Sequence, residues 1–352
     1  MKINLGIIGC GRVAEHHKKY LKTFRNVKII SCCDKKLVKA KSFADFYKSN
    51  FETDYLKILH NNDINTVIIS TESGNHFKHA KEALINNKHT IVEKPITFNQ
   101  LELKKLIILS KKKNLMLTTL FQNRFNKSIQ YLKGLVDKNK LGIIVQVKVN
   151  LVWCRFQDYY NDKWHGTWSM DGGVINQQAI HHVDILNWIF GPIKKITSYN
   201  KNILNILEAE DTSVNIFETK DNVLGTISAT TSARPKDFEA SIEVISEKGI
   251  IKIGGIGLNR IINLNLKNIK NKKIVEIKKK YSQNFKQGYG ESHGVLFKKI
   301  FDNILINKYV SPVDLDSVME TLTLVNSIYL SNQINKSINI KSKNIFNKLG
   351  KR

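Results

Sequence analysis

Cysteine is scarce in this chain: four in 352 residues, and Cys10, Cys32, Cys33 and Cys154 form no C-x-x-C pair. That argues against a disulfide framework and a cysteine zinc site, and predicts free thiols. Long apolar runs are missing as well. None approaches the roughly 20 residues that cross a bilayer, and the first residues enter a strand pattern with no signal-peptide features, so a cytoplasmic protein with no membrane partner is expected. Acidic residues are in deficit, 30 against 56 Lys and Arg, for a formal charge of +26. A basic excess of that size raises the question of a nucleic-acid partner, but no recognition motif accompanies it. The lysines are spread among Ile and Asn, at 111–113, 278–280 and 341–351 for example, as a biased source genome would spread them. No nucleic acid is expected; the charge serves at most to steer small anions toward the protein.

What is present is an ordinary globular composition, 42% apolar and 24% charged, in a chain long enough for two domains. Residues 1–120 alternate short β-branched runs (3–8, 27–33, 66–70, 89–92, 115–119) with helical patterns such as 76–85 and 98–111, which predicts a doubly wound parallel sheet of the Rossmann type. From about residue 121 the rhythm changes. A helix over 126–136, a strand over 143–153, an aromatic loop and a helix over 174–190 precede several alternating strands between 196 and 262. Closely spaced runs such as "FETKDNVLGTISATTS" predict hairpins. Helices over 293–306 and 314–331 follow, and the lysine-rich tail after Lys336 is expected to fray. The fold class is therefore α/β: a Rossmann domain over 1–121, then an α+β domain over 122–352 with a large, mostly antiparallel open sheet.

Three stretches carry chemistry. "GIIGCGRVAEHH", residues 6–17, fits G-x-G-x-x-G/A through Gly9, Gly11 and Ala14, the turn that lays a pyrophosphate on a helix N-terminus. Asp34, at the end of the second run, sits where an acid accepts hydrogen bonds from an adenosine ribose, which favours NAD over NADP; Lys35 and Lys36 weaken that preference, and a plain helix N-cap is the alternative reading of Asp34. "IVEKPIT" places Glu93, Lys94 and Pro95 at the carboxyl end of the fourth strand. A lysine held there, by a cis proline if one forms, would exchange a proton with a substrate hydroxyl; the alternative is an ordinary surface lysine. In "WHGTWSMDGGVINQQAIHHVDILNWIFG", helical spacing puts Gln177, His181 and Asp184 on one face. Gln177 and Gln178 would then hold sugar hydroxyls and His181 relay a proton, or all three are satisfied core groups. His76, Glu93, His181 and Asp184 follow no ligand spacing, so no metal is expected.

Taken together, Gly9 to Ala14, Ser70 and Thr71 with Gly74 to His76, the "EKP" of Glu93 to Pro95, the "QNR" of Gln122 to Arg124, the glycine-to-histidine stretch, "DFEASIEVISEKG" and "GESHGVLFKKIFDNI" resemble the Gfo/Idh/MocA oxidoreductases over nearly the whole chain. The resemblance implies NAD(P)-linked oxidation or reduction of a sugar or cyclitol hydroxyl, with Lys94 as catalytic lysine and His181 in the family's G-x-H-x-x-D position. It implies cofactor contacts from Gly9, Gly11, Arg12, Val13, Asp34, Lys35, Thr71, Ser73, His76, Glu93, Lys94 and Gln122. It implies substrate contacts from Lys94, Arg124, Trp164, Trp168, Gln177, Gln178, His181 and Asp184. It also implies a homodimer or homotetramer through the C-terminal sheet. Two positions depart from the pattern: Gln177 stands where many members have aspartate, and Ala179 where glycine is usual, so Lys94 and His181 must act without a titrating third partner. The amides and "WHGTW" resemble the nucleotide-sugar members, UDP-N-acetylglucosamine 3-dehydrogenases among them. The expectation is an NAD-dependent nucleotide-sugar dehydrogenase; an NADPH-linked ketosugar reductase, a cyclitol dehydrogenase and a non-catalytic NAD-binding regulator remain open.

Overall fold

A computed structural model describes residues 2–285, 291–340, 345 and 347–351. Gly290, which opens "GESHG", and several positions of the lysine-rich tail lie outside them. The chain divides into two compact units, 1–121 with 293–319, and 122–292 with 320–352.

In the first unit, strands β1 (Ile3–Ile8), β2 (Val27–Cys33), β3 (Asn50–Glu52), β4 (Thr66–Ile69), β5 (His89–Val92) and β6 (Leu117–Thr119) alternate with helices α1 (Arg12–Leu21), α2 (Leu37–Tyr47), α3 (Tyr55–His60), α4 (His76–Ile85) and α5 (Gln100–Lys113). The strands pair in parallel in the order β3-β2-β1-β4-β5-β6, the doubly wound arrangement whose order reverses beside β1. Ile3, Leu5, Ile8, Val67, Ile68, Ile69, Ile91 and Val92 are all buried, as continuous apolar strands covered on both faces must be. Local chemistry sets the helix ends: Asn99 accepts from Glu102 N to cap α5, Asp54 accepts from Leu56 N to cap α3, and Asn114 ends α5 in the left-handed region. β3, α2 and α3 were not resolved as elements by the sequence pattern; β3 is short and mostly exposed and leaves little periodicity to read.

Sequence reasoning groups residues 293–319 with the C-terminal region, but they cluster with the first unit. The reason is packing. Helix α9 (His293–Leu305) lies against α1, with the Phe301 ring edge-on to Phe24 at 5.1 Å, and Ser311 Oγ hydrogen-bonds Thr118 Oγ1 at 2.7 Å.

The second unit is built on an eight-stranded sheet. Its elements are α6 (Lys127–Asp137), β7 (Ile144–Val152), α7 (Ile180–Phe190), β8 (Ile193–Lys201), β9 (Thr212–Thr219), β10 (Leu224–Thr230), β11 (Glu239–Ser246), β12 (Gly249–Gly254), β13 (Arg260–Leu266), α8 (Asn271–Tyr281), the part of α10 (Leu315–Ile334) from Glu320 onward, and β14 (Ile338–Asn339). The order is β13-β12-β11-β7-β10-β9-β8-β14, antiparallel throughout except for the β7/β10 pair. One face carries the alternate apolar residues Val147, Val149, Leu151, Ile227, Ile242 and Val244, all buried. The other face keeps Tyr199, Val214, Ile216 and Leu224 exposed.

The helix expected over 174–190 begins only at Ile180. Residues 174–179 form hydrogen-bonded turns instead, anchored at their start by Glu210: Val174 N bonds Glu210 O at 2.9 Å and Ile175 N bonds the Glu210 carboxylate at 3.0 Å. Val174 O then accepts from both Gln178 N and Ala179 N, a wider turn than an α-helix. The apolar spacing of Val174, Ile180 and Val183 is real, yet it spans a turn and a helix.

Candidate active site

In the first unit the β1–α1 turn is shaped for a ligand. Gly9 adopts φ +94°, and a Cβ there would lie 2.5 Å from Ser70 O, so only glycine is accommodated. Ser70 Oγ donates to Gly9 O at 2.8 Å and Gly9 N to Cys33 O at 2.8 Å, fastening the turn to two strand ends. Gly11 has no such neighbour: a Cβ would meet nothing within 4 Å, and no side chain caps α1 there. The turn thus leads directly into the N-terminus of α1, the end of a helix that favours an anion. Ala14 is buried, as close helix–strand packing requires.

Asp34 is not the cap of α2; that position belongs to Lys36. Its carboxylate instead accepts from Cys10 N at 3.0 Å and from Lys36 N at 2.8 Å, so it is fixed beside the glycine turn with acceptor capacity remaining on each oxygen. Lys35 and Lys36 are exposed. Cys10 and Cys33 are buried thiols; burial holds the Cys33 thiol up to about 12, and neither is reactive.

His76 and Glu93, expected at the cofactor, are both buried and held by protein groups. The His76 ring, 1% exposed, has Pro95 O 2.7 Å from Nδ1 and Thr71 O 3.0 Å from Nε2. Burial lowers its pKa, and a neutral ring donates to only one of those carbonyls. It ties the Thr71 turn to the Lys94–Pro95 turn, whose peptide is cis. Glu93, 4% exposed, accepts from Lys94 N at 3.0 Å and lies 2.9 Å from His17 Nε2. Lys94 itself is partly exposed at the end of β5. Thr71 Oγ1 bonds His79 Nδ1 at 3.0 Å, and Ser73 is buried in a short turn before α4.

In the second unit Arg124 and Asp184, both expected on the substrate side, are paired with each other. The Arg124 guanidinium grips the Asp184 carboxylate with Nε–Oδ2 at 2.8 Å and Nη2–Oδ1 at 2.6 Å, under Trp188, with both residues nearly inaccessible. Thr321 Oγ1 adds a 3.2 Å bond to Asp184 Oδ1. A fork suited to phosphate is equally suited to a carboxylate, and here the carboxylate is internal. The pair binds α7 to the Gln122–Phe125 turn, where Gln122 Nε2 approaches His181 Nε2 at 3.5 Å.

Of the two adjacent histidines, His181 is partly exposed; His182 is 1% exposed and burial drops its pKa to about 4, leaving it neutral and inert. Gln177 does not share a helical face with His181. Its amide donates to Asp171 Oδ1 at 2.5 Å, and Asp171 Oδ2 accepts from Gly166 N at 2.8 Å, so Gln177 braces the Trp164–Trp168 loop. Gln178 Nε2 reaches the Tyr159 hydroxyl at 3.4 Å. Trp164 packs at a tilt against His165 with centroids 3.6 Å apart, and Trp168 lies edge-on to Tyr329 at 5.2 Å.

Sequence reading overlooked Glu210 and Tyr329. Glu210, 3% exposed, accepts from Ile175 N and, at 3.1 Å, from the Tyr329 hydroxyl, while that hydroxyl accepts from Gly173 N. Burial pushes the Glu210 carboxyl up to about 7. No local motif marks either residue.

Two family descriptions fit the chain in succession: "Oxidoreductase family, NAD-binding Rossmann fold" over residues 3–121 and "GFO/IDH/MocA C-terminal domain" over 129–252. The chain belongs to the Gfo/Idh/MocA oxidoreductases. Among similar solved structures, the WlbA dehydrogenase from Bordetella pertussis, in complex with NADH and UDP-GlcNAcA, is 26% identical with TM-score 0.89, covering 97% of this chain and 98% of that one. The WlbA dehydrogenase from Chromobacterium violaceum, with the same two ligands, is 27% identical with TM-score 0.89 and 97% coverage of each chain. An uncharacterized oxidoreductase of Synechocystis is 25% identical over 275 residues, 74% of each chain. The first unit of this Gfo/Idh/MocA protein is therefore an NAD-binding Rossmann domain, and the protein is an oxidoreductase.

Proposed function

We propose that this protein is an NAD-dependent dehydrogenase of a nucleotide sugar, oxidising a ring hydroxyl in the manner of a 3-dehydrogenase. The observation that carries the NAD part is Asp34, fixed by Cys10 N beside the glycine turn: it accepts from free ribose hydroxyls and opposes a 2′-phosphate. Bound NAD supplies the hydride acceptor. The N–H groups of Gly11, Arg12 and Val13 hold its pyrophosphate. Lys94, held by the Glu93–Pro95 turn and assisted by His181, the accessible histidine of α7, takes the single proton of the reacting hydroxyl. Trp164, Trp168 and Gln178 present apolar and polar surface to it. The nucleotide-sugar assignment is supported by the likeness of both units to the WlbA dehydrogenases, crystallised with UDP-GlcNAcA. The exposed Tyr199, Val214, Ile216 and Leu224 of the second-unit sheet form the surface through which copies pair as a homodimer or homotetramer, measurable as solution mass.

The test is formation of reduced nicotinamide from a panel of nucleotide sugars, free sugars and myo-inositol, with NAD and with NADP. Turnover of a nucleotide sugar with at least about tenfold tighter binding of NAD, 1.4 kcal/mol, is expected. Turnover confined to free sugars or cyclitols, or an equal preference for NADP, refutes the corresponding part.

A further inference from the structure

We propose that His17, Glu93 and His293 form a structural binding site for one divalent transition-metal ion, Zn²⁺ by its donor set. The three come from α1, from the residue after β5 and from the first position of α9, all in the first unit. One ring nitrogen or carboxylate oxygen from each lies within 4.8 Å of the others. Their exposures are 1%, 4% and 1%, and burying a carboxylate with two imidazoles is costly unless something satisfies their lone pairs.

Hydrogen bonds do so only in part. Glu93 Oε2 accepts from Lys94 N, but Oε1 and both ring nitrogens of His17 have no aligned partner. Glu93 Oε1 is only 2.9 Å from His17 Nε2, so the failure is one of direction and not of distance. In an N–H···O bond the acceptor lies along the N–H axis. Around a metal the lone pairs of two ligands aim at a third point, and each ligand atom sits off the other's axis. Ligands about 2.0–2.2 Å from a tetrahedral zinc stand about 3.3–3.6 Å apart, a spacing that lies between the 2.9 Å of the His17–Glu93 pair and the 4.8 Å bound on the set.

The surroundings suit such a site. Phe297 packs edge-on against His17 at 5.1 Å, Tyr20 stacks beside His293 at 6.0 Å, and Lys94 N orients the carboxylate, the outer support that metal ligands need. Two imidazoles and one carboxylate, with a water completing the tetrahedron, select a borderline ion over the oxygen-seeking Mg²⁺ and Ca²⁺. The ion would brace α1, the end of β5 and α9 together, and the proposal stands whichever sugar is the substrate. This set shares only Glu93 with the four residues considered from sequence.

The experiment uses full-length protein stripped by a chelator, titrated with Zn²⁺ against a chromophoric competitor, with retained metal measured after desalting. About one zinc per chain at submicromolar affinity is expected, and X-ray absorption should show two imidazole nitrogens and two oxygens. His17→Asn should weaken binding more than about 100-fold, beyond the loss of an outer-shell partner; His60→Asn, at an exposed histidine, should not change it. Folded wild-type protein that retains no zinc, as it would if a proton held the His17–Glu93 pair, overturns the proposal, as does unchanged affinity in His17→Asn. Should that variant fail to fold, the wild-type absorption spectrum decides: a first shell without two imidazoles overturns it.

Discussion

Lys94 and Asp34 are legible from local sequence because the turn that places each is itself a motif, a proline after the lysine in one case and a strand ending in an acid in the other. Glu210 and the partner of Arg124 are not, since burial and long-range pairing decide them. Positioned proton transfer contributes roughly 10² to 10⁴ in rate. Lys94→Met should therefore lower kcat by about that factor with little change in NAD affinity, measured by steady-state kinetics and cofactor titration. His181→Asn should cost less if it only relays, and the double variant should then lose little more than the worse single one. Glu210 carries a pH prediction. Its folded pKa, about 7, is raised from an ordinary 4.5, so the stability it contributes is full below about 4.5 and is lost as pH rises to about 7. The loss is at most about 3 kcal/mol. Urea unfolding of wild type and Glu210→Gln between those pH values should show the wild-type slope and a flatter one in the variant, which cannot ionise.

At the scale of elements, strand positions 3–8, 27–33 and 89–92 and helix 76–85 coincide with the observed β1, β2, β5 and α4, because their apolar periods and flanking turns agree. The helix expected over 174–190 is shortened to 180–190, and contacts remote in sequence, Val174 N and Ile175 N to Glu210, anchor the turns that replace its start. Arg124 and Asp184 show the same limit: each residue type suits a substrate, and only the fold reveals that they hold each other. Their pair joins α7 to the turn before α6. Arg124→Met or Asp184→Leu alone leaves a buried charge and should destabilise the protein by about 3–5 kcal/mol. The two together should cost far less than the sum, a coupling that a double-mutant cycle in urea reads directly. Additive losses would show that the pair is not energetically joined.

For the molecule as a whole, the charge of +26 is compatible with a substrate carrying a diphosphate, and the likeness to the WlbA dehydrogenases extends over 97% of the chain, beyond the nucleotide-binding unit alone. The proposed reaction passes a hydride from a nucleotide-sugar ring carbon to NAD. The direct measurement incubates the protein with NAD and UDP-GlcNAcA deuterated at the hydroxyl-bearing ring carbons, then determines by mass spectrometry where the label goes. Deuterium is expected in the reduced nicotinamide, in equal amount to the ketosugar formed. Reduced nicotinamide that never carries the label, or none formed from nucleotide sugars while free sugars or cyclitols turn over, would contradict it.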